Sequence, residues 1–290
     1  MDGYNQIGDA MRTDGLFTQH TQEIKVEYGK PIYLIPMGDI HHDDENHADK
    51  EFNKFLNYVR TERKNNSYIL GMGDYIDFQR AHDRALTRSK DVESSKLAIQ
   101  EYALKSVQNL YHKIEGLNYI GLLSGNHYAD IEAKVKNGSV TTIHSDAVLA
   151  DMLGTTYLGV CSHITLKLKG RKSSGEVRII AHHGHGSAAT IGGGINRVRR
   201  FLSGWDSNIA LMGHSHQRGV MPTEDRISVR DGIMRSSTRW VGRTGSFLKG
   251  YEIGKQSYVT DMALNPTALG WIEFEMRLEK DGEVHIRAIQ

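Results

Sequence analysis

Five short apolar runs in this chain end alike, in glycine and in side chains able to bind a metal. IYLIPMGDIH closes on Asp39 and His41, YILGMGD on Asp74, and YIGLLSGNH on Asn126 and His127. VRIIAHHGH closes on His182, His183 and His185, and NIALMGHSH on His214 and His216. Apolar runs of this length, bounded by turn residues, read as buried strands. In an open α/β sheet ligands bind outside the carboxyl ends of the strands, so five strands of this kind would deliver their side chains to one rim. Glycine stands directly before Asp39, Asp74, Asn126 and His214, where a chain turning sharply beside a bound group tolerates no side chain. On extended backbone the i, i+2 pairs Asp39/His41 and His214/His216 would each point one way.

Between the runs lie amphipathic segments. Phe52, Phe55, Leu56 and Val59 fall at i, i+3, i+4 and i+7, with Asn46 available as a cap. Leu97, Leu104, Val107, Tyr111 and Ile114 mark a longer helix, Ser145 to Leu153 a short one with Gly154 beyond it, and INRVRRFLSG a fourth closed by Gly204. Strands alternating with helices give an α/β fold class, with mixed strand directions later in the chain. Residues 1–30 are polar and weakly patterned and read as an arm or irregular lead-in. Residues 31–290 read as one domain, whose part from 219 onward is rich in Gly, Ser, Thr and Arg and then alternates in WIEFEMRLE as strands do.

Composition excludes several classes. A hydrophobic content of 39% with 24% charged residues is that of a globular chain, and no apolar run is long enough to cross a bilayer. The N-terminal segment has neither the basic start nor the apolar stretch of a secretory signal, so cytoplasmic residence is expected and a membrane partner is not. The single cysteine, Cys161, excludes an internal disulfide and a thiolate-rich zinc cluster, and reads as a small buried hydrophobe. A formal net charge of +1 leaves no global field toward nucleic acid.

Seven carboxylate, imidazole and amide groups at one rim exceed what a single tetrahedral ion needs. Oxygen and nitrogen donors without sulfur suit Mn²⁺, Fe or Zn²⁺, with Ni²⁺ a further option. Two ions about 3.5–4 Å apart that share a carboxylate satisfy such a set, and Asp74, alone on its run, is the natural bridge.

The order GDxH (Gly38 to His41), GDxxD (Gly73 to Asp77), GNH (Gly125 to His127), HGH (His183 to His185) and GHxH (Gly213 to His216) resembles the calcineurin-like metallophosphoesterase superfamily, in its prokaryotic and phage-borne form. The resemblance runs from about residue 31 to about residue 220. It implies a four-layer sandwich of two mixed β-sheets flanked by helices. It also implies two divalent ions, Mn²⁺ first among them: Asp39, His41 and His216 on one, Asn126, His183 and His214 on the other, and Asp74 bridging. His127 would then be an acid beside the leaving group. Many members carry an acidic residue directly after GNH to orient that histidine; here Tyr128 stands there, and Asp130, two places on, is the candidate for the role.

Other residues keep two readings. Asp77 orients a ligand histidine or caps its turn, and His182, facing away from the ions if its strand alternates, belongs to the core or supports a ligand. His42, Asp43 and Asp44 read as a solvated acidic loop. His185, Arg197 and Arg218 are candidate substrate contacts, Arg197 lying in GSAATIGGGINRVRRF, which reads as a mobile lid or as a solvated helix face. Arg235, Arg239, Arg243 and Trp240 have the mixture of a single-strand binding groove or of a surface strand.

The expected activity is hydrolysis of a phosphate ester by a hydroxide shared between two metal ions, with His127 donating a proton to the departing oxygen. A diester of nucleic acid or a nucleotide is the leading substrate. A phosphomonoester of a nucleotide or protein is the alternative, and a metal-free binding module of the same fold is a third reading.

Overall fold

The run Pro31–Met37 is apolar on both faces because both faces are covered. This strand, β2, sends Ile32 and Leu34 to one core and Tyr33, Ile35 and Met37 to another. A strand buried on both sides reads as a continuous apolar run rather than an alternating one. The computed structural model describes residues 16–78, 93–134, 140–186, 190–230, 232–261 and 263–289. Strand β1 is Phe17–Lys25; after β2 come helix α1 (Asp49–Thr61), β3 (Ser67–Gly71), α2 (Glu93–Ile114), β4 (Tyr119–Leu122), β5 (Asp130–Lys134), β6 (Val140–His144) and α3 (Ser145–Met152). The second half runs β7 (Cys161–Lys169), β8 (Ser174–His182), α4 (Ile191–Ser203), β9 (Ile209–Met212), β10 (Arg218–Arg230), β11 (Ile233–Thr244), α5 (Tyr258–Asp261), β12 (Glu273–Leu278) and β13 (Val284–Ile289).

Two large mixed sheets form the centre. One has the order β13-β12-β2-β3-β4 and the other β1-β7-β8-β9-β11-β10, with β5 and β6 making a separate pair. Leu34, Leu70, Met72 and Phe274 of the first sheet meet Ile164, Val177, Ile179 and Leu211 of the second, so one core lies between the sheets. The outer face of the first sheet packs Ile35, Met37 and Ile69 on Phe52, Phe55 and Val59 of α1, on Val107 and Leu110 of α2, and on α3. The outer face of the second packs Ile180, Ala210 and Val241 on Ile195, Val198 and Leu202 of α4. Helices, sheet, sheet and helix make four layers.

Strand direction brings the chemistry together. β2, β3 and β4 are parallel to one another, and so are β8 and β9. Each therefore ends immediately before one of the sequence motifs.

Several sequence expectations need correction. Residues 1–15 lie outside the described residues, but Phe17–Lys25 is no irregular lead-in: β1 pairs in parallel with β7 along its whole length. It is an edge strand in which Ile24 is the one buried residue, so its apolar signal is faint. Asn46 does not cap α1; the cap position is Ala48, with no side-chain hydrogen bond, and the Asn46 amide donates to the carbonyl of Gln256 instead. Leu97 does not join the buried face of α2, being 64% exposed, whereas Ala103, Val107, Leu110 and Ile114 are buried. No helix among the described residues is long and apolar enough to cross a membrane.

Phe247 joins core and rim. Its ring packs against Phe52 and Phe55, and its amide donates to the carbonyl of Asp39 at 2.9 Å. Phe247→Ala is expected to cost about 3–5 kcal/mol, the range for a buried aromatic reduced to alanine. Urea unfolding of the two proteins measures this, and a loss under about 1 kcal/mol would show that the ring is not part of the core.

Candidate metal centre

Five backbone positions at the rim adopt a conformation that side chains disfavour. Asp39 (φ 47°), His41 (φ 47°), Asp74 (φ 51°), His214 (φ 65°) and His216 (φ 56°) are left-handed, and Ala263 is the only other non-glycine residue so placed among those described. Such backbone persists only where surrounding structure over-determines it, and it gathers at functional sites. It also corrects the expectation that the i, i+2 pairs lie on extended backbone. Asp39/His41 and His214/His216 converge because each of these residues turns the chain.

The preceding glycines let the loops touch. A Cβ on Gly125 would stand 2.0 Å from Asp74 Oδ1, and one on Gly213 would stand 2.7 Å from Asp39 Oδ2. Gly73 is itself left-handed (φ 93°), and a Cβ there would strike the backbone of Gly125 at 2.6 Å. The glycines thus make room for neighbouring loops and their carboxylates.

The side chains meet in groups. The ligand atoms of Asp39, His41 and His216 lie within 4.8 Å of one another, and so do those of Asp74, His183 and His214. His216 Nε2 is 3.5 Å from Asp39 Oδ1. Asn126 joins the second group, its Oδ1 standing 2.9 Å from His183 Nε2 and 2.6 Å from His214 Nδ1. Asp74 lies between the groups: its Oδ2 is 3.1 Å from His183 Nε2 and 3.8 Å from His41 Nε2. Its Oδ1 accepts from the backbone amides of Asn126 and His127 at 2.7 and 2.9 Å. All seven candidate ligands named from sequence are therefore together.

Hydrogen positions give the donor set a chemical test. His183 Nδ1 lies 2.7 Å from the carbonyl of Met72, an acceptor only, so Nδ1 carries the hydrogen. In the neutral ring Nε2 then turns a lone pair toward two more acceptors, Asp74 Oδ2 and Asn126 Oδ1. His41 repeats the arrangement, with Nδ1 on Asp77 Oδ1 at 3.1 Å and a buried Nε2 that has no hydrogen-bond partner among the described residues. Lone pairs facing one another require a cation among them, either a proton or a metal ion. Supporting a ligand imidazole through its other nitrogen is also the usual way proteins orient it. The residues fit a metal centre.

Charge follows the same geometry. Burial opposes a charge on His41, but Asp77, Asp74 and Asp39 outweigh it and raise its pKa to about 9. Burial likewise opposes, and Asp74 and Asp39 outweigh, on His183, which is raised to about 9. His214 and His216 go the other way, burial and neighbouring histidines lowering them to about 4 and about 3. Burial raises Asp39 to about 6. It acts in the same sense on Asp74, yet His183 and His41 hold that carboxyl well below the ordinary range.

His127 stands at the margin of the cluster, its ring 5.0 Å from that of His41 and its side chain about a quarter exposed. Its Nδ1 contacts Asp77 Oδ1, the same oxygen that His41 uses. Asp77 is therefore a carboxylate in contact with His127, a partner that the spacing after GNH did not point to. Asp130 is carried off at the start of β5, paired across the ladder with His144. Spacing from the GNH motif points to Asp130; the β3 loop, bonded to the β4 loop through the Phe78 amide and the His127 carbonyl, brings Asp77 to the ring. The acidic loop before it is not solvated: Asp43 is half-buried and Oδ1 accepts from the Asp77 amide at 2.6 Å.

The remaining candidates separate. His182 faces away, with Nδ1 accepting from the Gly184 amide and its ring edge-on to Phe201. His185 is exposed, and its carbonyl accepts from Arg197, which also donates to the carbonyl of Gly186 at 3.0 Å. Arg197 thus braces the HGH loop; of the expected lid, residues 187–189 lie outside the described residues and Ile191–Ser203 is α4. Arg218 packs its guanidinium against Gly270, and no described contact brings it to the cluster. Arg239 and Trp240 form no open groove, since Arg239 donates to the carbonyls of Leu202, Trp205 and Ser207 and Trp240 packs edge-on to Phe274.

Three supports were not legible in the sequence. Asp146 at the start of α3 is buried and accepts from the Gly125 amide at 2.9 Å. Ser246 donates to the Asp39 carbonyl at 3.0 Å, and the buried Arg243 donates to the Gly213 carbonyl at 3.2 Å. None belongs to a motif, so only the folded chain reveals them.

Motif order, two mixed sheets and a single rim of ligands now stand together. The fold is the four-layer sandwich of two mixed sheets that the motif order implied. No family model matches the sequence, and no curated protein matches it. Among solved structures, Vps29 complexed with zinc from Entamoeba histolytica is similar at 13% identity and a TM-score of 0.38, over 89% of this chain and 98% of that one. GAP50, the anchor in the inner membrane complex of Plasmodium, is similar at 10% identity and a TM-score of 0.46, over 90% and 84%. A predicted phosphoesterase from Streptococcus pneumoniae TIGR4 is similar at 13% identity and a TM-score of 0.30, over 90% and 98%. Likenesses this distant say nothing of substrate.

The raised histidines give a pH dependence. A folded-state pKa above the unfolded value of about 6.5 contributes stability that is complete below that value and is lost as pH rises through the folded pKa. Chelator-treated protein is therefore expected to unfold at lower urea concentration at pH 9.5 than at pH 7, through His41 and His183. Equal midpoints at the two pH values would contradict the electrostatic arrangement described.

Proposed function

We propose that the protein is a phosphoesterase dependent on two divalent metal ions, with phosphodiesters of nucleic acid or nucleotides as its substrates. One observation carries this reading: two groups of carboxylate, imidazole and amide ligand atoms, each of a spacing that could hold a metal ion, face each other across a buried carboxylate, Asp74. Asp39, His41 and His216 would hold one ion, Asn126, His183 and His214 the other, and Asp74 both. The absence of sulfur among these donors suits Mn²⁺, Fe or Zn²⁺, of which the family resemblance puts Mn²⁺ first. Bound there, two such cations supply Lewis-acid charge that makes water more acidic and stabilises a phosphoryl group under in-line attack.

The chain's own residues do the rest. Asp77 fixes the His127 ring through Nδ1, which leaves Nε2 to carry a proton toward the departing ester oxygen. Because the same carboxylate oxygen holds His41, the acid and the ligand are set by one group. Asp74 Oδ1, bonded to the His127 amide, fixes the backbone of that histidine as well. Arg197 of α4, which donates to the carbonyls of His185 and Gly186, adds positive charge at the HGH loop and favours a substrate with more than one phosphate.

His127→Gln separates this role from the alternatives. General acid catalysis contributes about 10²–10⁴-fold, so kcat toward a dinucleotide, whose alkoxide leaves poorly, is expected to fall by about that factor. Loss toward a nitrophenyl diester, whose phenolate departs unaided, is expected to be far smaller, with metal content unchanged. Equal losses on both substrates would make His127 a phosphate-positioning residue, and loss of metal would make it a ligand. Faster turnover of phosphomonoesters by the wild type would replace the diester with a monoester.

A further inference from the structure

Beside the ligand cluster lies a cation that the metal centre does not use. Arg243, in β11, is 3% exposed. One terminal nitrogen donates to the Gly213 carbonyl, and Nε has no hydrogen-bond partner among the described residues. The other terminal nitrogen lies under the first turn of α4, where a Cβ on Gly194 would stand 2.7 Å from it. A guanidinium has five donors and keeps its charge, so burying one this poorly matched is costly unless an anion compensates it. Asp39 attracts it and Arg197 repels it, while burial favours its neutral form most of all. Asp39 is already committed to the ligand cluster.

What covers Arg243 is unusual for a helix start. Thr190 caps α4, its hydroxyl accepting from the Gly193 amide at 3.1 Å, and Gly192, Gly193 and Gly194 follow. Gly192 and Gly193 are exposed, and nothing lies within 4 Å of where a Cβ on Gly192 would stand. Gly194 is required by the Arg243 and Gln217 side chains packed beneath it, but no packing calls for glycine at position 192, where it weakens the helix. The glycines do leave the positive end of the helix open to solvent above a buried charge. A helix N-terminus and a guanidinium at close range in a medium of low dielectric reinforce each other as a field for an anion.

We propose that the glycine turn of α4, backed by Arg243 and flanked by Arg197, is an anion subsite that receives a second phosphate group of the substrate, next to the one at the metal cluster. The identity of the anion rests on the phosphoesterase reading; the existence of the site does not. Arg243 acts through the turn, and its Gly213 contact ties the subsite to the loop that carries His214 and His216. A substrate with adjacent phosphates, such as a polynucleotide, then spans cluster and turn.

The test has a binding arm and a kinetic arm. In the binding arm, chelator-treated full-length protein is titrated with inorganic phosphate by calorimetry. Because the buried charge acts at short range through a medium of low dielectric, Arg243→Gln is expected to weaken phosphate about tenfold and Arg243→Lys less. Gly194→Ala is expected to weaken it too, by pushing aside the Arg243 guanidinium and the Gln217 amide, with little loss of Tm, because both are the ends of flexible side chains and alanine favours a helix. That variant carries the test if Arg243→Gln fails to fold. Unchanged phosphate affinity in the folded variants overturns the proposal.

In the kinetic arm, the nitrophenyl ester of thymidine 5′-phosphate is compared with and without a 3′-phosphate. The second phosphate is expected to raise kcat/KM about tenfold or more in the wild type, and Arg243→Gln is expected to bring the ratio close to one. A wild-type ratio of one overturns the proposal. Hydrolysis of neither ester would overturn the phosphoesterase reading instead, and the titration with inorganic phosphate then decides the subsite alone.

Discussion

The carboxylate of Asp74 organises the rim. It is buried, and its two oxygens have separate duties. Oδ1 takes the amides of Asn126 and His127, which locks the loop after β4 onto the loop after β3. Oδ2 faces His183 from the second sheet and His41 from the first. One side chain therefore connects three loops and both sheets. It can do so only because Gly125 has no Cβ, since an atom there would stand 2.0 Å from Oδ1. A charge so deep is tolerable only with charged or dipolar partners, and here amides, imidazoles and any bound cation provide them.

The layers exist to hold this arrangement under strain. Left-handed backbone at five non-glycine residues costs of order 1 kcal/mol or more at each, and the rim alone offers little apolar burial in return. The offset lies below it. Leu34, Ile35, Leu70, Ile179 and Leu211, all inaccessible, anchor the strands from which the loops emerge. Phe247 adds an anchor from the far end of the chain, packing on α1 and bonding the Asp39 carbonyl. The backbone conformation is thus imposed by the fold, and the ligand geometry follows from it.

Much of this was legible before folding, and the reasons differ by element. The strands buried on both faces announce themselves as unbroken apolar runs, and their motifs mark where each ends. Edge strand β1 was missed because a strand covered so little carries no such signal. At the site, residues that end a strand were recoverable, since position along the run implies position at the rim. Partners set by loop-on-loop packing were not. Asp77 and Asp130 are both acidic and both near a motif in sequence, and only the contact between the β3 and β4 loops distinguishes them. Asp146 and Arg243 lie far from every motif and enter through the sheets' other faces and neighbours. Arg243 in particular looked like one arginine of a basic stripe, whereas β11 turns it inward beneath α4.

The central claim is that seven side chains form two cation sites sharing Asp74. Anomalous diffraction from crystals equilibrated with Mn²⁺ tests it most directly. Two peaks are predicted, one among Asp39, His41 and His216 and one among Asn126, His183 and His214, each also within coordinating distance of an Asp74 oxygen. A single peak, or peaks that leave Asp74 uncoordinated, would contradict the account.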